Sequence, residues 1–346
     1  MKTLEVTSHA SISLKNILFA TDFSEASQAA LPYAAAIARR YDSQLHVAHI
    51  MSPASYVIPS QPGDPVTLDS IHEAARADVH QRMEAVASHL KTVPHHTYVR
   101  EGEVWESLSN LIQTHEIDLL VVGTHGRTGM EKLVLGSKAE EILRMAPCPV
   151  LTVGPKIAGR AKLTAIEGEG NNLTPVEISV GQIVYATDFS PQSFAAASFA
   201  TSLAQEFQSK LSLLHVIEKH TDLDGQAVSI DLALQRLERL VPEGANRWCS
   251  PKPMVQIGRS ADCILQEAMN SNADIIVLGV RSAADHLSAA THLPWATAHK
   301  VIAQAQCPVL TVPLAPSRKT NEIDFINLEK SFYEKANRST SGPSEQ

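Results

Sequence analysis

Two short phrases occur twice in this chain, at matching places in its two halves. ATDFS spans Ala20–Ser24 and again Ala186–Ser190, and CPVLTV spans Cys148–Val153 and again Cys307–Val312. Each ATDFS follows an apolar run, and each CPVLTV closes its half. Between them, IDLLVVG (Ile117–Gly123) matches ADIIVLG (Ala273–Gly279) closely, and LHVAHI (Leu45–Ile50) matches SLLHVI (Ser212–Ile217) loosely. Matches in the same order at domain spacing mean that one unit has been duplicated. The 346 residues suit two domains of ordinary size.

The apolar pattern gives each half the same alternation. Short Val/Ile/Leu-rich runs near 15–20, 45–51, 96–101, 118–123 and 148–153 read as strands buried on both faces. Segments 25–41, 68–91, 104–115 and 137–146 have helical spacing. The second half repeats this order, with strands near 182–187, 211–217, 253–258, 274–279 and 307–312 and helices near 190–208, 229–241, 260–271 and 296–305. Strictly alternating elements imply an α/β fold in which helices cover both faces of a five-stranded parallel sheet. Ligands bind such sheets at the carboxyl ends of the strands. That edge gathers Thr21, Asp22, Ser52 and the loop from Gly123 to Ser137 around one crevice.

The expected organisation is a first domain over 14–155, a linker over 156–179, a second domain over 180–314 and a polar tail over 315–346. Phe325, Ile326, Leu328, Phe332 and Tyr333 are spaced for a short amphipathic helix in the tail. A net charge of −8 argues against nucleic acid or an anionic membrane as a partner. No run reaches the roughly 18 apolar residues of a membrane span, and the first residues have no signal-peptide core, so a cytosolic protein is expected. Cys148, Cys249, Cys263 and Cys307 show no metal spacing and read as buried thiols. The 15 histidines do not form a ligand motif either; His46 and His49 point to opposite faces of one strand.

The most informative stretch is GTHGRTGMEKLVLGSKAEEILR, Gly123–Arg144. It begins where a buried strand ends and runs into a helix. Its glycines permit close approach of backbone to a ligand. Ser137 and Glu140 have capping-box spacing. A helix N-terminus suits an anion, and His125, Arg127, Lys132 and Lys138 add donors nearby. Taken alone, the loop fits a phosphate cradle and a well-capped turn equally. No Walker A sequence and no nucleophile elbow is present.

With Gly123, Gly126, Gly136 and Ser137 in place, the loop reads G-x2-G-x9-G-S. This spacing, the ATDFS opening and the CPV-L-x-V closing strand resemble the universal stress protein family, over about 14–155 and 180–314. The resemblance implies two tandem Rossmann-like domains of the adenine nucleotide alpha hydrolase type, with ATP, accompanied by Mg²⁺, as ligand. It places Asp22 near ribose or metal, Ile50 against adenine through its backbone, and Gly126, Arg127, Gly136, Ser137 and Lys138 at the phosphates, with Thr21, Gly123 and His125 as further nucleotide-binding residues. Asp22 has the alternative role of capping the next helix, and Ile50 that of packing the core. The resemblance further implies pairing of the two domains through their final strands or flanking helices, a homodimer, and an unidentified signalling partner. Any ATP hydrolysis is expected to be slow.

The second half departs from the pattern. Alignment on the final strands puts Trp295 where Gly136 stands and Ala296 where Ser137 stands, and the loop has no glycine after Gly279. Asp188 and Val216 persist. The second half is expected to bind ATP poorly and to serve as a pairing or regulatory module.

Overall fold

A computed structural model of the chain describes residues 12–52, 68–124, 135–154, 157, 178–218, 230–242, 244–280 and 293–314. The amphipathic segment expected in the tail lies outside them. In the first half the order is β1 (Asn16–Ala20), α1 (Glu25–Arg40), β2 (Gln44–Met51), α2 (Leu68–Ser88), β3 (His95–Glu101), α3 (Val104–Thr114), β4 (Leu119–Gly123), α4 (Ser137–Met145) and β5 (Val150–Val153). The second half repeats it as β6 (Gln182–Thr187), α5 (Pro191–Phe207), β7 (Lys210–Ile217), α6 (Ile230–Glu238), β8 (Pro251–Ile257), α7 (Ser260–Asn270), β9 (Ile275–Val280), α8 (Leu293–Gln304) and β10 (Val309–Pro313). Every strand and helix expected from the apolar pattern is present. Among the described residues no helix is long and apolar enough to cross a membrane.

The strands form a single ten-stranded sheet, ordered β3-β2-β1-β4-β5-β10-β9-β6-β7-β8. Each half is parallel. The one antiparallel pairing among the described residues joins β5 to β10, with Leu151 opposite Leu310. Thr152 and Thr311, both 1% exposed, lock this seam: Thr152 Oγ1 donates to the Val309 carbonyl at 3.0 Å and Thr311 Oγ1 to the Val150 carbonyl at 3.2 Å. On one face α1 meets α5, where the Tyr41 and Ser202 hydroxyls are 3.0 Å apart and the Arg40 guanidinium lies 5.6 Å from the centre of the Phe207 ring. The intramolecular pairing expected between the halves is therefore made by the final strands and by these helices. Ile157, just beyond β5, is 2% exposed and belongs to the core.

Alternation along the strands splits the core into two layers. Ile17, Phe19, Leu45, Val47 and Val121 face α1 and α2, whereas Leu18, Ala48, Leu120 and Val122 face α3 and α4. The sheet register corrects one sequence match. Ala20 pairs with Ala48, and Ala186 with Leu214, so Leu45–Ile50 corresponds to Leu211–Val216 rather than to Ser212–Ile217. A one-residue slip would turn the buried face of β7 outward; the loose likeness of two apolar runs concealed it.

His46 is a first-half feature on the α3 side. It is 4% exposed, with Nδ1 3.1 Å from the Tyr98 hydroxyl and Nε2 3.3 Å from Asn16 Oδ1. The rings of His115 and His96 lie 4.6 and 6.0 Å away. Burial, then the neighbouring His115 and His96, lower its pKa to about 4. A depressed histidine stays neutral in the fold while the unfolded chain takes up a proton near pH 6.5. Stability is therefore lost as pH falls from about 6.5 towards 4. His46→Gln is expected to remove roughly 1–2 kcal/mol of the stability difference between pH 7 and pH 5, measured by urea unfolding at both values. An unchanged difference would contradict this assignment.

Candidate functional site

The site begins with the tight turn that leaves β1. Thr21 N–H continues the sheet by donating to the Ala48 carbonyl at 2.9 Å. Phe23 then takes a left-handed conformation, φ 62°, which is uncommon for a bulky residue. The turn holds it there: Phe23 N–H donates to Thr21 Oγ1 and Ser24 N–H to Asp22 Oδ1, each at 3.0 Å. Ser24 caps α1 by accepting from Ser27 N–H at 3.3 Å. Asp22 is therefore not the helix cap. Its Oδ1 closes an Asx turn, which leaves Oδ2 for a ligand. His49 braces the turn from β2: its ring stacks on Phe23 at 4.4 Å, and Nδ1 donates to the Thr21 carbonyl at 2.8 Å. A carbonyl only accepts, so Nδ1 carries the proton.

The opposite wall comes from the end of β4 and the start of α4. Thr124 N–H donates to the Val153 carbonyl at 3.0 Å, and the Thr124 carbonyl accepts from Gly136 N–H at 2.9 Å. These bonds fix where α4 starts. The capping box expected from Ser137 and Glu140 does not form. Gly136 is the N-cap, with no side chain to offer, and Ser137 is already the first helical residue. Among the described residues the first-turn N–H groups of α4 thus have no side-chain cap, at a helix end that favours anions. The third wall is the start of α3, aimed by Gly102, whose φ of +128° suits only glycine.

These walls enclose a cavity of about 270 Å³, at the small end of ligand pockets. Of the residues expected from the sequence, Thr21, Asp22, Ile50, Gly123, Gly136, Ser137 and Lys138 line it. His125, Gly126 and Arg127 lie outside the described residues. Gly123 has a structural duty as well. A Cβ there would sit 2.6 Å from Ser27 N and 2.7 Å from the Ala26 carbonyl carbon, so its absence lets α1 close on β4. Lys138 is exposed and bridges two carboxylates, Glu141 Oε2 at 3.1 Å and Glu103 Oε2 at 3.5 Å.

The lining fits a nucleotide in kind: apolar side chains of Ile50, Val104, Leu108 and Val122 for a base, Asp22 for hydroxyls or a cation, and the bare α4 terminus for phosphate. Thr124 also lines the cavity, on the loop expected there; not marked by the sequence are Ser27, Val104 and Leu108, which reach the cavity only through the fold, and His49. The repeat carried a signal for two of these, because Ser27 and His49 recur as Ser193 and His215. His215 likewise bonds the Thr187 carbonyl at 2.8 Å and packs on Phe189 at 4.4 Å. Among the described residues no group of three or more His, Cys, Asp or Glu side chains is placed to hold a metal ion.

The second half keeps the turn and changes the rest. Asp188 Oδ1 accepts from Ser190 N–H at 2.9 Å and also from the Ser193 hydroxyl, whereas Ser27 Oγ instead lies 3.0 Å from Thr21 Oγ1. Desolvation raises the Asp188 pKa, but hydrogen bonds from Ser190 and Ser193 outweigh it and hold the carboxyl below its ordinary value. Glu218 Oε1 accepts from Ser260 N–H at 2.7 Å, putting a carboxylate at the start of α7. Helix α8 has 12 residues against 9 in α4; the two end at matching places, so α8 starts a turn early and Trp295 lies within it.

The chain is matched twice, over residues 13–154 and 180–313, by the model of the universal stress protein family. Universal stress protein A homolog 1 of Coxiella burnetii is 30% identical over 142 residues, which cover 41% of this chain and 97% of that protein. A universal stress protein of Methanocaldococcus jannaschii is 29% identical over 142 residues, 40% of this chain and 81% of that one. The solved structure of a universal stress protein from Archaeoglobus fulgidus has the same fold, with a TM-score of 0.58 at 19% identity over 88% of this chain and 100% of that chain.

Proposed function

This chain belongs to the universal stress protein family, and on that premise we propose that its first half binds ATP with Mg²⁺ and acts as a cytosolic, nucleotide-dependent stress-response or signalling module. The observation that carries the proposal is the α4 N-terminus, which no side chain among the described residues caps and which opens on the cavity between Asp22 and Ile50. In this reading the base lies among Ile50, Val104 and Leu108, and Asp22 meets ribose or the cation. The phosphates meet the backbone around Gly136, Ser137 and Lys138, with His125, Gly126 and Arg127 on the same loop. Mg²⁺ would offset phosphate charge that the two nearby glutamates oppose.

The second half supports a division of labour. Its aspartate is held by Ser193, its helix start is displaced, and a glutamate closes α7. We assign it to completing the sheet and to presenting surface to a signalling partner, with ligand binding confined to the first half. The module holds ATP rather than consuming it. Incubation with labelled ATP-Mg²⁺ separates the two behaviours: retention of intact ATP without sustained ADP release is expected, and steady release in proportion to protein would favour a hydrolase on the same fold.

A further inference from the structure

The residue that Lys138 meets on α3, beside the cavity, is itself charged. Glu103 is the N-cap residue of α3, yet its side chain makes no capping hydrogen bond. It reaches instead to Lys138 Nζ, at 3.5 Å, on the second residue of α4. Val104 and Lys138, on the two sides of this pair, both line the cavity. Glu141 holds the same ammonium at 3.1 Å; its hydrogen bond, with a smaller contribution from Glu103, raises the lysine pKa. One cation thus stands between two carboxylates, and the trio is net negative where phosphate would enter.

We propose that Glu103 and Lys138 form a charge latch across the mouth of the first-half site, in which Glu103 occupies Lys138 until a ligand phosphate displaces it. The latch rests on the nucleotide reading above. Glu103 is a positioning residue: it acts through Lys138 and sets how strongly the site prefers a phosphorylated ligand over the bare nucleoside. Lys138 cannot serve Glu103 and a phosphate fully at once, and Glu103 repels the phosphate besides. A nucleoside meets neither cost. The chain carries its own comparison. At the matching places in the second half stand Arg259, the N-cap residue of α7, and Thr297 in α8. No ion pair can form at those two places; α7 and α8 are joined instead further along by Asp262 and Lys300.

Exposed ion pairs are weak, so the effect is a bias and not a lock. Calorimetric titration of ATP-Mg²⁺ and of adenosine into wild type, Glu103→Gln and Glu103→Asp tests it. Glu103→Gln is expected to bind ATP about three- to fivefold tighter, a change of the size such pairs carry, while Glu103→Asp stays near wild type. The adenosine isotherm, binding or flat, should not differ between wild type and Glu103→Gln. A Glu103 that served only the α3 dipole would leave ATP affinity unmoved. Unchanged or weaker ATP binding by Glu103→Gln, or equal tightening for adenosine, overturns the latch and leaves the site assignment standing. Failure of wild type to bind ATP overturns both.

Discussion

Gly136→Trp is expected to weaken ATP binding by about a hundredfold or more, equivalent to losing two charge-assisted hydrogen bonds, while the chain stays folded. The backbone at Gly136 has φ −62° and ψ 142°, a conformation open to any residue. On the nucleotide reading, glycine there serves clearance for phosphate and not torsional freedom. A tryptophan would stand over the bare first turn of α4 and keep phosphate from the N–H groups. The exchange puts into the first half what the second half already carries, since Trp295 occupies the matching place inside α8. Titration by calorimetry, with circular dichroism as the check on folding, reads both parts. Retained affinity in the folded variant would move the phosphate site away from α4.

The largest stability effects are expected at two glycines with a different task. At Gly279 a Cβ would lie 2.4 Å from both the Gln192 carbonyl carbon and Ser193 N, and at Gly123 it would lie 2.6 Å from Ser27 N. All of these are backbone atoms, which cannot swing aside, so α5 or α1 would have to shift off the sheet. Overpacking of this kind costs about 3 kcal/mol, and Gly→Ala at either position should show it in chemical denaturation. Gly181→Ala is the control: its nearest neighbour would be Asp274 Oδ2 at 3.6 Å, an ordinary contact, and little change is expected. Gly123→Ala should also weaken ATP binding, because the turn bearing Asp22 and Ser27 travels with α1. A neutral Gly279→Ala would contradict the close packing described for both halves.

The repeat makes the architecture readable from the sequence alone. Buried parallel strands are written as Val/Ile/Leu runs, and Ser24 and Ser190 announce the helices they cap. Three things were not readable. The capping box at Ser137 failed because spacing does not reveal which residue of a Gly-Ser pair enters the helix first. The offset between β2 and β7 failed because two apolar runs match nearly as well one residue out of step. The cavity's apolar side, Val104 and Leu108, comes from the start of α3, and only the crossover from β3 to β4 turns that end of the helix onto the site. That Asp22, Ile50, Gly136 and Ser137 line the cavity was legible because each lies near a strand end or a helix start on the one edge where such sheets gather ligands. His49 was visible as a residue but not as a brace, since its partner is a backbone carbonyl that leaves no mark on the sequence.

On the proposed function, one half of this duplicated chain holds a nucleotide and the other does not. The most direct test is the stoichiometry of ATP-Mg²⁺ binding to the full-length wild-type protein by calorimetry. One ATP per chain is the predicted result. Two equivalent sites per chain would contradict the reading of Trp295, Asp188 and Glu218 as marks of a lost site, and no binding at all would contradict the nucleotide reading of the α4 cavity itself.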